Sequence, residues 1–196
     1  MKINFDVDVE KPENDFKRMA AEIMNDWILQ IEDTRYRITE IEFYLKNDTH
    51  NDVYAHGHEI QKEVGKWYFH GSGVDITFGS GSFYGGILIR AIYNLDTRKY
   101  IYGPIKVVTE LLSSIKNVYR SSLSFGFIAD DEKLIESEIP IAAPRVGLNS
   151  KHNQEMHDKF YRFVVMPKMQ HANKTEIVEA MKKQGYSEEE SNNIWG

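Results

Sequence analysis

The chain has 196 residues, of which 41% are hydrophobic and 12% aromatic, with no cysteine and a formal net charge of −6. Such a length suits one domain with a substantial core, and the missing cysteines exclude disulfides, thiolate metal sites and a cysteine nucleophile. The acids gather at the ends: residues 1–15 and 175–196 each hold five acids against two lysines, which leaves the body evenly balanced and disfavours tight, non-specific binding to nucleic acid through phosphates alone.

The N-terminus, MKINFDVDVEKPEND, carries acids where a secretory signal needs a basic start and an apolar run. No later window approaches the ~18 apolar residues of a membrane span, so a soluble, intracellular, cytoplasmic protein is expected. Residues 1–15 read as an acidic segment. Phe16, Met19, Ala20, Ile23, Met24, Trp27 and Ile28 then recur at helical spacing, predicting a helix from Asp15 to about Gln30 with Asn14 or Asp15 as its cap. After the turn-like Glu32-Asp33-Thr34, residues 35–45 alternate as a strand does, and the polar stretch 46–57 reads as loop. Residues 65–78 and 84–93 predict strands, the second, GGILIRAIY, apolar enough to be central. Residues 105–115 predict a helix that Pro104 opens, with Gly103 allowing a close backbone approach. Strands over 123–128, 139–146 and 160–165 complete the body. In the tail, 175–184 is an amphipathic helix with Ile177, Val178 and Met181 inward; Gly185 ends it, and Ser187 caps a second helix running to Trp195. The fold class predicted is α+β: one domain, 16–170, with a curved, mainly antiparallel sheet flanked by helices, plus a helical hairpin, 171–196, that docks on its own domain or binds a protein partner.

Chemistry concentrates in a few places. In TEIEFYL, a strand puts Glu40, Glu42 and Tyr44 on one face and Ile41, Phe43 and Leu45 on the other. Two carboxylates at i and i+2 lie roughly 6.5–7 Å apart, close enough to perturb one another where water is excluded. One of them can then serve as a general base; the plain alternative is a solvated face. Arg90, inside GGILIRAIY, must turn to solvent or pair with an acid, and Glu40 or Glu42 is that acid if the two strands are neighbours. His50, His56, His58 and His70, with Asp52 and Asp75, offer ligand types for a zinc or iron hydrolase, without the helical HExxH geometry. His152, His157 and His171 lie in a polar region and read as solvated. The glycine-rich HGSGVDITFGSGSFYGG sits in no strand-to-helix crossover and contains no GxxxxGK[ST], so it reads as hairpin turns or as room for a planar ligand.

Eight stretches in this order, AAEIMNDWILQ, RITEIEFYL, YAHG, GKWYFHGSG, YGGILIRAI, YGPIKVVTELL, IAAPRVGLN and KFYRFVV, resemble the alkyladenine (3-methyladenine) DNA glycosylase family. The likeness runs from about Phe16 to Val165. It rests on the match of RITEIEFYL to that family's I-V-E-T-E-A-Y-L strand, of LIRA to L-L-R-A, of YGPIK to G-P-x-K-L and of PRVG to A-R-V-G. The resemblance implies that Glu42 activates a water for attack on the sugar carbon of an extruded, alkylated or deaminated purine nucleotide, in base excision repair, with no cofactor. Arg90 and the Val146 carbonyl would hold that water, and Tyr44 would stack on the base with His56 opposite. Tyr68, His70, Asp75, Lys106 and Arg145 are the further positions it implies for contact with the base or nucleic acid. The family's wedging Tyr falls on Gly71, Ser72 and Gly73, and its discriminating Asn on Asp75 or Thr77. Damaged DNA or a related nucleoside is thus the expected partner. The alternatives are a noncatalytic binding protein on the same fold and the metal-dependent hydrolase on the histidine cluster.

Overall fold

A computed structural model describes residues 2–116 and 122–195. The N-terminal stretch runs extended and turns Ile3, Phe5, Val7 and Val9 onto the main core while its acids face outward. Helix α1 (Glu13–Asn25) begins after Pro12, whose fixed φ suits a helix start, and not at an Asn14 or Asp15 cap. Glu13 and Asp15 in its first turn oppose the helix dipole favourably. The predicted extension to Gln30 does not occur. Instead Trp27–Ile31 is strand β1, because its aromatic and branched residues are buried as a strand paired on both edges. A short apolar run carries no periodicity that would separate the two states.

Strands β2 (Thr34–Lys46) and β5 (Tyr84–Asn94) form the spine of the sheet, antiparallel from Tyr36↔Asn94 to Lys46↔Tyr84. The predicted single strand over 65–78 is a hairpin, β3 (Trp67–His70) and β4 (Gly73–Thr77), turning at Gly71 and Ser72. The remaining strands are β6 (Tyr100–Tyr102), β7 (Phe125–Ala129), β8 (Ile141–Ala143) and β9 (Arg162–Val164), and the main path runs β3-β4-β5-β2-β1-β7. Strand β8 keeps only three of the eight residues expected of it. At the two ends of the path Trp67 stacks on Phe125 (centroids 4.5 Å apart) and on Phe127 (5.5 Å), so side chains draw the edges together and the sheet curls into a half-barrel. Phe16, Met19, Ile23 and Met24 of α1 pack in the main core with Ile41, Phe43 and Leu45 of β2.

Helix α2 (Pro104–Ser113) starts at Pro104 as expected, with Gly103 at φ +105, a value that suits glycine. A short helix, α3 (Gln154–Asp158), capped by Asn153 Oδ1 on the Met156 amide, occupies part of the polar region around His157 and is not among the predicted elements. In the tail, α4 (Lys174–Lys183) and α5 (Glu188–Trp195) follow the prediction, and Ser187 and Glu190 make a reciprocal capping box. This hairpin docks on its own domain: Ile177, Ala180, Met181 and Trp195 bury a second, smaller core with Ile141, Ala143 and Val164. Since Val164 pairs with Glu40 and Ile141 with Val164, that small core lies on the Glu40 face of the sheet.

Candidate functional site

Directly opposed residues of neighbouring strands share a face, and one row across the sheet reads Glu42, Leu88, Asp75. Two carboxylates therefore flank one leucine, with Cα atoms about 10 Å apart at two strand spacings. Tyr44 and Arg90 lie on the same face. A cavity of about 260 Å³ opens over this row, lined at one end by Tyr44, Arg90 and Val146 and at the other by His70, Asp75 and Gln61. Tyr54, His56, Leu88 and Pro104 add to its walls. It is smaller than the ~300–1,000 Å³ usual for drug-sized ligands, and suits a group the size of a single base.

Glu42 is fully buried and accepts three hydrogen bonds: from the Val146 amide to Oε1 (2.7 Å), and from the Tyr44 hydroxyl (2.8 Å) and Arg90 Nη1 (3.3 Å) to Oε2. An ionised carboxylate has about four acceptor sites, so one remains on Oε1, beside Val146. The resemblance assigned the Val146 carbonyl to a water; the contact seen here is its amide holding Glu42. Arg90 spends Nε on Glu40 Oε1 (3.0 Å) and Nη1 on Glu42, while Nη2 has no partner among the described residues. Burial disfavours the guanidinium charge, but Glu42 and Glu40 outweigh it and raise the Arg90 pKa. Burial, reinforced by the Glu42 charge, pushes the Tyr44 phenol well above its ordinary value, so Tyr44 is a hydrogen-bond donor at neutral pH. The Tyr44 ring lies 4.6 Å from the Arg145 guanidinium and also lines the cavity.

The backbone is irregular where these groups converge. From Ile38↔Ile92 the register shifts at Glu40↔Ala91 and shifts back at Ile41↔Ile89, so Thr39 and Arg90 are extra residues on their strands. Paired bulges of this kind re-aim side chains without losing the ladder on either side.

At the far end, Asp75 accepts from His70 Nε2 (3.0 Å) and Gln61 Nε2 (3.1 Å). The His70 Nδ1 atom takes the Ser72 amide and the Gln61 carbonyl takes the His58 amide, which leaves both donors aimed at the Asp75 carboxyl oxygens. Gly86 makes room for this pair: a Cβ there would stand 2.7 Å from both Asp75 Oδ2 and Gln61 Nε2. His56 packs edge-on to His70 with ring centroids 4.4 Å apart, and burial followed by the His70 charge lowers its pKa, leaving it neutral at neutral pH.

Of the residues implied by the resemblance, Glu42, Arg90, Val146, Tyr44, His56, His70 and Asp75 are gathered here. Thr77 shares the face but spends its hydroxyl on the Glu63 and Lys66 carbonyls, so Asp75 alone of that pair reaches the cavity. Glu42, fully buried behind Tyr44, Arg90 and Val146, does not itself line the cavity, and neither do three others. Tyr68 stacks on His58 outside, Lys106 is exposed on the first turn of α2, and Arg145 is buried in a bidentate pair with Asp52 and bonds the Phe43 and Met156 carbonyls. Arg145 is a brace beneath Tyr44, because its fork is consumed from behind.

The histidine-cluster reading is corrected. His50 lies apart, stacked on Tyr161 at 5.8 Å, Asp52 is committed to Arg145, and among the described residues no three His, Asp or Glu side chains are grouped to hold a metal ion. His171 is corrected too: it is buried and bonds Glu40. Sequence reasoning missed Gln61, Tyr54 and the role of His171. Only Gln61 left a local trace, His58-x-x-Gln61, which folds as a capping box.

No known protein-family model matches this chain. It is similar to a protein of Acanthamoeba polyphaga mimivirus described as uncharacterized protein L759, 29% identical over 202 residues that cover 85% of this chain and 93% of that protein.

Proposed function

We propose that this chain is a hydrolase that releases a damaged purine from nucleic acid by cleaving its N-glycosidic bond, with Glu42 as the base that activates water. The observation that carries the reading is a fully buried carboxylate whose three hydrogen-bond donors, Arg90, Tyr44 and Val146, all belong to residues that line a base-sized cavity. A water on the remaining site of Glu42 Oε1 would give its proton to Glu42 as its oxygen attacks the anomeric carbon, and the carbon–nitrogen bond breaks with its electron pair leaving on the base. The positive character that grows on the sugar is stabilised by the Glu42 charge. Tyr44 and the His56–His70 pair offer ring surfaces on two sides of the cavity, and the Asp75–Gln61 end meets the edge of the base.

The form of substrate follows from the hairpin tip. Gly71 and Ser72 are exposed and small, so nothing there fills the gap that an extruded base leaves in a duplex. Unstacking costs a few kcal/mol and is least for bases already unpaired; single strands or loosely paired lesions are the proposed substrates, with the exposed Lys106, two residues after the cavity-lining Pro104, as a phosphate contact. Base release from oligonucleotides carrying hypoxanthine, 1,N6-ethenoadenine or 3-methyladenine, compared with Glu42→Gln, tests the proposal. Release that disappears in the variant supports it, and a folded protein that releases none of these bases in either strand form overturns it.

A further inference from the structure

A continuous line of contacts joins the C-terminal helix to Arg90, which lines the cavity, and to Glu42 behind it. The Trp195 ring packs on His171 (4.9 Å between centroids), His171 Nδ1 meets Glu40 Oε2 at 2.9 Å, Glu40 Oε1 accepts from Arg90 Nε at 3.0 Å, and Arg90 Nη1 reaches Glu42. Every side chain in the line is buried, although Trp195 and Glu42 are 153 residues apart in sequence.

The segment leading into α4 is fastened at successive points. His171 Nε2 donates to the Met166 carbonyl (3.0 Å), the Tyr100 hydroxyl donates to the Gln170 carbonyl (2.9 Å), and Arg162 Nη2 donates to the Ala172 carbonyl (3.0 Å) while its Nε donates to Glu40 Oε1 (3.0 Å). Both His171 nitrogens thus face acceptors, which the ring satisfies together only when each carries a proton. Burial opposes the Glu40 charge, but the His171 hydrogen bond and the Arg162 and Arg90 charges outweigh it and hold Glu40 below the ordinary carboxylate range. Glu40 does not line the cavity. It is shared by two arginines and a histidine, and removing the histidine frees one of its oxygens and loosens the segment that closes over it.

From this line of contacts we infer that Glu40 and His171 are positioning residues for the Arg90–Glu42 pair, and that the C-terminal hairpin is the clamp that keeps them in place. The hairpin is then part of the site's architecture and not a module for a separate partner. The kinetic consequence rests on the proposed function; the structural consequence does not. A misplacement of about 1 Å at a reacting group can cost on the order of a hundredfold in rate. Loosening the clamp should therefore slow the bond-breaking step and leave substrate affinity nearly unchanged.

The test uses the full chain, isotope-labelled, and follows exchange of the Arg90 Nε–H with solvent, its resonance assigned through Arg90→Lys. His171→Ala and Trp195→Ala should each accelerate that exchange on the order of tenfold. Met19→Ala, which opens a cavity in the main core on the other face of the sheet and leaves the hairpin's packing intact, should not. Trp195→Leu replaces Trp195→Ala if the latter does not fold. Single-turnover base release, measured well below each variant's Tm, should fall in His171→Ala and Trp195→Ala with the substrate Kd preserved. Unchanged Arg90 exchange in both variants, or equal acceleration in Met19→Ala, overturns the inference. Absence of base release in the unmodified chain overturns the proposed function alone, because the exchange measurement still reports whether the clamp holds Arg90.

Discussion

Glu40 and Glu42, two residues apart on β2, hold one guanidinium between them: Arg90 donates through Nε to Glu40 at 3.0 Å and through Nη1 to Glu42 at 3.3 Å. Their environments differ. Glu40 lies under the C-terminal hairpin and accepts from three basic side chains, whereas the three donors to Glu42 belong to Tyr44, Arg90 and Val146, which all line the cavity.

Glu42→Gln should lower base release by about 10²- to 10⁴-fold, the usual contribution of a general base. It should also cost about 1–3 kcal/mol of stability, since an amide cannot accept from Val146, Tyr44 and Arg90 together and one buried donor is left unmet. Single-turnover kinetics with urea unfolding on the same preparation separates the two effects.

Arg90→Met removes the shared partner of two buried carboxylates. A loss of about 3–5 kcal/mol is expected, the range for breaking a buried ion pair from one side. Chemical denaturation measures it, and a loss below about 1 kcal/mol would place the pair with exposed ion pairs instead.

Gly86→Ala drives a methyl group against Asp75 Oδ2 and Gln61 Nε2. Overpacking of this kind costs about 1–3 kcal/mol, and the displaced Asp75 should change which bases are released while leaving Glu42 untouched. The ratio of release rates across two lesions is the measurement, and a constant ratio would remove Asp75 from base selection.

Acid should expose Glu40. Its folded pKa lies below the unfolded value of about 4.3, so the stability it contributes is fully present above that value and is lost as pH falls through the folded one. Thermal unfolding of the unmodified chain should fall steeply below about pH 4.3, and Glu40→Gln should flatten that dependence.

His56 shifts in a direction that spectroscopy reads directly. Burial, then the His70 charge, lowers its pKa, so its ring-proton titration should have its midpoint below the unperturbed value of about 6.5. A midpoint above that value would mean that Asp75 dominates its surroundings.

The alternation of TEIEFYL was enough to put Glu40, Glu42 and Tyr44 on one face, because a strand has only two faces and the apolar set must take the core side. The same local reasoning located α2 from Gly103-Pro104 and the tail helices from Gly185 and Ser187, since caps act within a few residues. It failed at Trp27–Ile31, where pairing with β2 and β7 decides the state, and at 65–78, where a two-residue turn divides what reads as one strand.

By itself the sequence determined which residues could share a face, where α2 begins, where α4 ends and α5 starts, and that Arg90 needs an acid. Tertiary structure decided which acid each donor meets: that Glu40 takes Arg90, Arg162 and His171, that Asp52 claims Arg145, and that Asp75 rather than Thr77 reaches the cavity. Hydrogen bonds and ion pairs depend on distances of about 3 Å, here between groups 50 to 131 residues apart. No local pattern encodes such distances, and here they are set by strand order, by the paired bulges at Thr39 and Arg90, and by a hairpin folded back over the sheet.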